Sequence, residues 1–184
     1  MEHSLYKKAE QFMIDVFTKA GDEIGIKHHQ RTVYWIKELK PDANESLLIS
    51  GILHDIERGI NGDWKASSMD PEALKKHQDL SALEAEKFLI TQTNDTNLIN
   101  SIKELISRHE EGGNEEQNIL CDADSLVYFE NVALRHARTY KEKGKTKEEM
   151  EKKFEYIFNR INTGKAKQIA QKWYSEALEE LNHE

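Results

Sequence analysis

LLISGILHDIERG, residues 47–59, places Leu48, Ile49, Ile52, Leu53 and Ile56 at spacings of three and four, the period of a helix with one buried face. His54-Asp55 stands where the apolar run gives out. Adjacent helical residues point about 100° apart, so an imidazole and a carboxylate side by side approach one ion together only at a helix end or a slight distortion. A helix end or a slight distortion is expected there.

Working outward, the same period recurs in almost every apolar segment. Residues 4–20 align Leu5, Phe12, Met13, Val16 and Phe17 on a helix ending before Gly21. The next runs from about His28 to Lys40, turns Val33 and Ile36 inward and stops at Pro41. Beyond the His-Asp pair, Glu57 to about Pro71 shows no period and reads as a loop. His77, Ser81, Ala85 and Phe88 share a helical face, and Leu98, Ile102, Leu105, Ile106 and His109 form a stripe closed by Gly112-Gly113 as a C-terminal cap. Residues 117–141 read as one long helix with Leu120, Asp124, Val127, Tyr128 and Asn131 on one face. Two further periodic helices, Met150 to Ile161 and Ala166 to Leu181, meet around Thr163-Gly164 and read as a wall that holds no ligand-type residue at its apolar positions. The fold expected is an all-α, single-domain bundle over residues 1–184, of about seven to nine helices.

With 184 residues, two prolines and abundant Leu, Glu and Lys, the chain suits one helical domain. A net charge of −8 opposes a general duplex nucleic-acid or anionic-membrane surface, while leaving room for a local cationic pocket. The lone Cys121 has no internal disulfide partner, and MEHSLYKKAE lacks the apolar core of a secretory leader, so a cytoplasmic location is expected. No apolar run approaches the roughly 20 residues of a membrane span.

Asp124 falls between Leu120 and Val127 and so faces inward, where a carboxylate needs a partner. A salt bridge to Arg135 or Arg138 is the plain account, a bound cation the other. Asp122, about 200° away, reads as a group behind the site or a cap. Histidines gather around the pair: His28 three residues before Arg31, with His29 as the rival ligand at that corner, then His77 and His109. A histidine closing an apolar stripe is more often a core residue with one hydrogen bond than a ligand.

The order and contexts of these residues resemble the HD-domain superfamily of metal-dependent phosphohydrolases. The matching pieces are His28-x-x-Arg31, Leu53-His54-Asp55-Ile56, His77 with Ser81 and Ala82 following, Ser107-Arg108-His109-Glu110 and Asp122-Ala123-Asp124-Ser125-Leu126, spanning roughly residues 25–130. The resemblance implies an HD-type bundle with its metal site in that span and closing helices at about 146–182. It implies that His28, His54, Asp55 and Asp124 hold a divalent metal, and that His77 and His109 bind a second one or the substrate phosphate. Where many members carry Gly after the His-Asp-hydrophobic segment, this chain has Glu57.

Imidazole and carboxylate donors suit Mn, Co, Ni, Fe or Zn, with Mg also in range. Arg31, Arg58, Lys65 and Arg108 are candidate cations for a phosphate by proximity to the motifs, and Glu57 or Asp63 would position the water or protonate the leaving oxygen. Lys141 to Lys153 reads as a solvated charge run from which Lys143 and Lys145 reach a phosphate at most. The expectation is hydrolysis of a nucleotide or another small phosphate ester by a metal-activated water, with selectivity in residues 58–76. The alternatives are a dinuclear iron oxygenase of the same fold and a non-catalytic metal- or nucleotide-binding regulatory domain.

Overall fold

Short polar residues start the helices by accepting a backbone N–H from the first turn. In the computed structural model, which describes residues 4–62 and 69–183, Ser4 caps α1 (Leu5–Lys19), Asp22 caps α2 (Glu23–Leu39) and Asn44 caps α3 (Glu45–Leu53). α4 (Ile56–Asn61) follows the break at His54-Asp55 and ends at Gly62, whose φ of 70° is the left-handed conformation that favours glycine. Asp70 opens α5 (Pro71–Leu89) and Asp95 opens α6 (Thr96–Ile106). A capping box between Asn114 and Gln117 begins α7 (Glu115–Tyr128), which passes through a π-helical turn, Phe129–Ala133, into α8 (Leu134–Thr139). A 3-10 turn at Lys141–Lys143, a second capping box at Thr146 and Glu149, and the Thr163 cap lead into α9 (Lys147–Asn159) and α10 (Gly164–Asn182). The fold is all-α, with no strand among the described residues.

α3 lies at the middle, packed by α1, α2, α6 and α7. Leu47, Ile49, Ile52 and Leu53 are all fully buried, so this helix hides its whole girth and not the single face its period suggests. α2 comes in very close: a Cβ on Gly51 would stand 2.5 Å from Ile36 Cδ1 and 3.2 Å from Val33 Cγ2. Burial of each such side chain stabilises by about 1.5–3 kcal/mol. That packing holds His54 and Asp55 at the end of α3, away from water. One apolar core joins α1, α2, α3, α5 and α6; the other joins α2 and α7 to α8, α9 and α10.

Four boundaries differ from the sequence reading. α2 begins at Glu23 because Gly21, with φ 72°, ends α1 and Asp22 caps at once; His28 therefore sits inside a helix and not at its start. Glu57 to Asn61 is helical, in an element too short to show a period. α6 stops at Ile106, which leaves His109 in the turns that follow, with Gly112 and Gly113 beyond them. The stretch 117–141 is interrupted by the π-helical turn, whose extra residue rotates Asn131 off the inner face into solvent. No helix among the described residues is long and apolar enough to cross a membrane.

Candidate metal centre

Five pieces of chain bring ligand-type side chains to one buried point. α2 supplies His28, the α3–α4 break His54 and Asp55, α5 His77, the turn after α6 His109, and α7 Asp124. His28 Nε2 lies 3.1 Å from both His54 Nε2 and Asp124 Oδ1, and His54 Nε2 is 3.5 Å from Asp124 Oδ1 and 4.0 Å from Asp55 Oδ1. On the other side of Asp55, its Oδ1 is 2.7 Å from His77 Nε2 and 3.4 Å from His109 Nε2. Ligands about 2.1 Å from one ion stand about 3.0 Å apart at right angles and about 4.2 Å apart when opposed. The contacts around His28, His54, Asp55 and Asp124 fall between those limits. Two ligand groups result, His28-His54-Asp55 and Asp55-His77-His109, and Asp55 belongs to both.

The imidazole protons show what these groups are built for. His54 Nδ1 donates to Gly51 O at 3.0 Å, His109 Nδ1 to Ile106 O at 2.7 Å and His77 Nδ1 to the Glu57 carboxylate at 2.7 Å. With the proton on Nδ1, each neutral ring is left with a lone pair on Nε2 aimed inward. His109 Nε2 is buried with no hydrogen-bond partner. At His77 the demands conflict. Asp55 Oδ1 at 2.7 Å calls for a proton on Nε2, while the Arg58 guanidinium at 3.2 Å calls for a lone pair. A divalent cation satisfies carboxylate and lone pairs together, so the residues present fit one.

The titration shifts follow from this crowding. Burial works to raise the Asp55 carboxyl, but Arg58, His77 and His54 outweigh it and hold the group well below the usual carboxylate range. Asp124 is depressed in the same way: burial opposes, and His28 and His54 prevail. Burial would lower His77, yet Asp55 and Glu57 raise it. For His109 burial wins and the ring is held neutral below its ordinary value. The carboxylates beside His77 thus favour its protonated form, and any such proton must leave before the ring becomes a ligand. Addition of Mn to metal-free protein in weak buffer at pH 6.5 is expected to release protons through this ring, and His77→Ala to release fewer. Equal release from both proteins would remove His77 from the ligand set.

Around the ligands stands a ring of charged supports. Glu57 is buried behind His77, accepts from its Nδ1 and lines neither of the two cavities that hold Asp55. Arg58 Nε lies 3.2 Å from Asp55 Oδ2, close enough to pair in charge though not aligned to donate. Asp124 pairs through Oδ2 with Arg160 at 2.5 Å, not with Arg135 or Arg138. Arg160 also grips Glu110 and donates to Ser125 Oγ at 2.8 Å; burial lowers its pKa to about 10, which leaves it charged. Asp122 accepts from the backbone of Asn162 and Thr163, tying α7 to the α9–α10 corner.

The remaining candidates stand outside the two ligand groups. His29 is buried with Nδ1 on Gly25 O at 2.7 Å and lies outside both ligand groups. Arg31 is held by Glu130 at 2.5 and 2.7 Å and lies over the Tyr34 ring at 3.8 Å. Arg108 is about half exposed and braces its own turn through Gly112 O. Asp63 and Lys65, and with them part of the stretch 58–76, lie outside the described residues.

Two cavities share His28, Asp55 and Arg58. The larger, about 620 Å³, is bounded by Phe17, Ile24, Arg31 and Tyr34. The smaller, about 190 Å³, is bounded by Tyr128, His136, Lys153, Tyr156 and Arg160. So α9 and its C-cap, read from sequence as plain wall, supply Lys153 and Arg160 to the site. No periodic signal marks a cation that pairs across 36 residues of chain. Glu110, adjacent to His109, was within the quoted motif and carried no assignment.

A family model described as the HD domain matches residues 25–128, a span that contains all six ligand candidates. Searches of curated proteins and of solved structures return no match to the chain.

Proposed function

Because the chain belongs to the HD-domain family, we propose that it is a metal-dependent phosphohydrolase acting on a nucleotide or another small phosphate ester. Members of that family are mostly metal-dependent hydrolases. The observation that carries the reading for this chain is the meeting of three buried imidazoles around Asp55, each with its Nδ1 proton already donated elsewhere. In this reading His28, His54, Asp55 and Asp124 hold one divalent ion, and His77 and His109 complete a second group through Asp55. Such an ion (Mn, Co, Ni, Fe, Zn or Mg) supplies Lewis acidity that polarises a phosphoryl oxygen and lowers the pKa of a coordinated water.

The chain's own residues then have separate tasks. Arg58 lies beside Asp55 and lines both cavities, so its guanidinium is in place for the charge that spreads over a transferring phosphoryl group. Glu57 keeps His77 oriented, and Arg160 keeps Asp124 and Glu110 in position. Arg31, already bound to Glu130, shapes the wall of the larger cavity with Tyr34.

A phosphate-ester panel run on metal-quantified protein tests this. Turnover is expected with added Mn, Co, Ni or Mg and to vanish with chelator. Arg58→Ala should lower kcat by about 100-fold while metal content stays, since the residue is assigned to the phosphate and not to the ion. Full activity in a metal-free preparation would contradict the mechanism. The sharing of Asp55 between two ligand groups also favours a second reading, a dinuclear iron oxygenase. Oxygen consumption by iron-loaded protein, with no phosphate release from any ester, would select it.

A further inference from the structure

Lys153 is the one cation lining the smaller cavity that has no carboxylate partner among the described residues. Arg58 is matched by Asp55, and Arg160 by Glu110 and Asp124. The Lys153 ammonium instead lies 5.4 Å from the centroid of the Tyr128 ring. Burial, with Arg58, Lys143 and Lys145 nearby, lowers its pKa to about 8, so it remains largely charged at neutral pH. A half-buried ammonium without a counter-ion is costly, and an anion entering the cavity offsets that cost.

A second donor stands next to it. Tyr128 Oη is 3.2 Å from His136 Nδ1; with the hydroxyl donating, the ring proton sits on Nε2. Burial, helped by Lys153, Lys143 and Arg135, holds His136 neutral, with a pKa lowered to about 3. The π-helical turn creates this pairing. Eight residues of regular helix would separate Tyr128 and His136 by about 80°, whereas the extra residue of one π turn brings them within about 20° of the same face.

Size divides the two cavities as well. About 620 Å³ is within the range of pockets for drug-sized molecules, about 300–1,000 Å³, while about 190 Å³ suits only a small group. Both open on Asp55 and Arg58.

We propose that Lys153 and His136 form an anion subsite beside the metal centre that recognises a second phosphate group of the substrate, so that the preferred substrates are diphosphates or bisphosphates and not simple monoesters. This rests on the phosphohydrolase reading for its reaction, but its recognition chemistry stands on the cavity alone. Both residues lie beyond residues 25–128 matched by the family model, so the subsite belongs to the part of the chain that the family does not prescribe.

The test compares binding of methylenebisphosphonate and methylphosphonate, neither of which is hydrolysed, by calorimetry on the full chain, metal-free and Mn-loaded. Wild type is expected to bind the bisphosphonate at least about tenfold more tightly. Lys153→Met should erase that margin and Lys153→Arg should keep it, with metal content equal in all three. His136→Phe should narrow the margin. A wild type with no margin, or a Lys153→Met protein that retains it, would overturn the subsite. An intact margin with no turnover of any phosphate ester supports the subsite and overturns the hydrolase reading alone.

Discussion

Asp55→Ala is expected to strip metal from both ligand groups at once, leaving less than about a tenth of wild-type occupancy after dialysis. The reason is position. Among the described residues, Asp55 Oδ1 is the one oxygen that faces His54, His77 and His109 together. Even residues behind a ligand cost about 10–100-fold in metal affinity when removed, and loss of a shared ligand should cost more. His28→Ala and His109→Ala, which touch one group each, should reduce occupancy less. Metal analysis of the three variants, with circular dichroism to show that helix is retained, gives the ranking. Asp55→Ala protein with full metal would exclude the shared role.

The second large effect concerns stability. Arg160→Met removes the closest charged partner of the buried Glu110 carboxylate, whose other neighbour is the His109 ring at 3.7 Å, and the Oδ2 partner of Asp124. Breaking a buried ion pair from one side costs about 3–5 kcal/mol, which for a chain of this size is a fall of about 10 °C in Tm. The loss should be larger in metal-free protein, where Asp124 has lost a second source of positive charge. Arg160→Lys is expected to rescue little, because an ammonium does not span Glu110, Asp124 and Ser125 as the guanidinium fork does. A calorimetric scan showing a shift under about 2 °C for Arg160→Met would refute the pairing.

The acid limb follows the same groups. Asp55 and Asp124 have depressed folded-state pKa values, so the stability they confer is complete above the unfolded value of about 3.9 and is lost as pH falls from there toward the folded values.

What the sequence made legible was whatever repeats or stands in a short motif. The period of three and four identified the longer helices, and the His54-Asp55 placement at the end of an apolar run anticipated the end of α3, though not the short α4 beyond it. Inward-facing Asp124 was readable because its neighbours Leu120 and Val127 fix the face. Long-range pairing was not. Arg160 meets Asp124 only because Asp122 ties the α9–α10 corner to α7, a tertiary arrangement with no local trace. The π-helical turn escaped for a related reason: one added residue changes which side chains share a face without changing composition. Tyr128 and His136 therefore read as different faces of one long helix and Lys153 as the end of a solvated charge run, while Glu130 found Arg31 across 99 positions.

The measurement closest to the central claim is an anomalous difference map from a crystal of Mn-loaded protein. A peak within bonding distance of His28, His54, Asp55 and Asp124 is expected, with any second peak about 3.5–4 Å away on the His77–His109 side of Asp55. Saturated protein whose manganese lies only outside this cluster, with the six side chains free of any ion, would contradict the account.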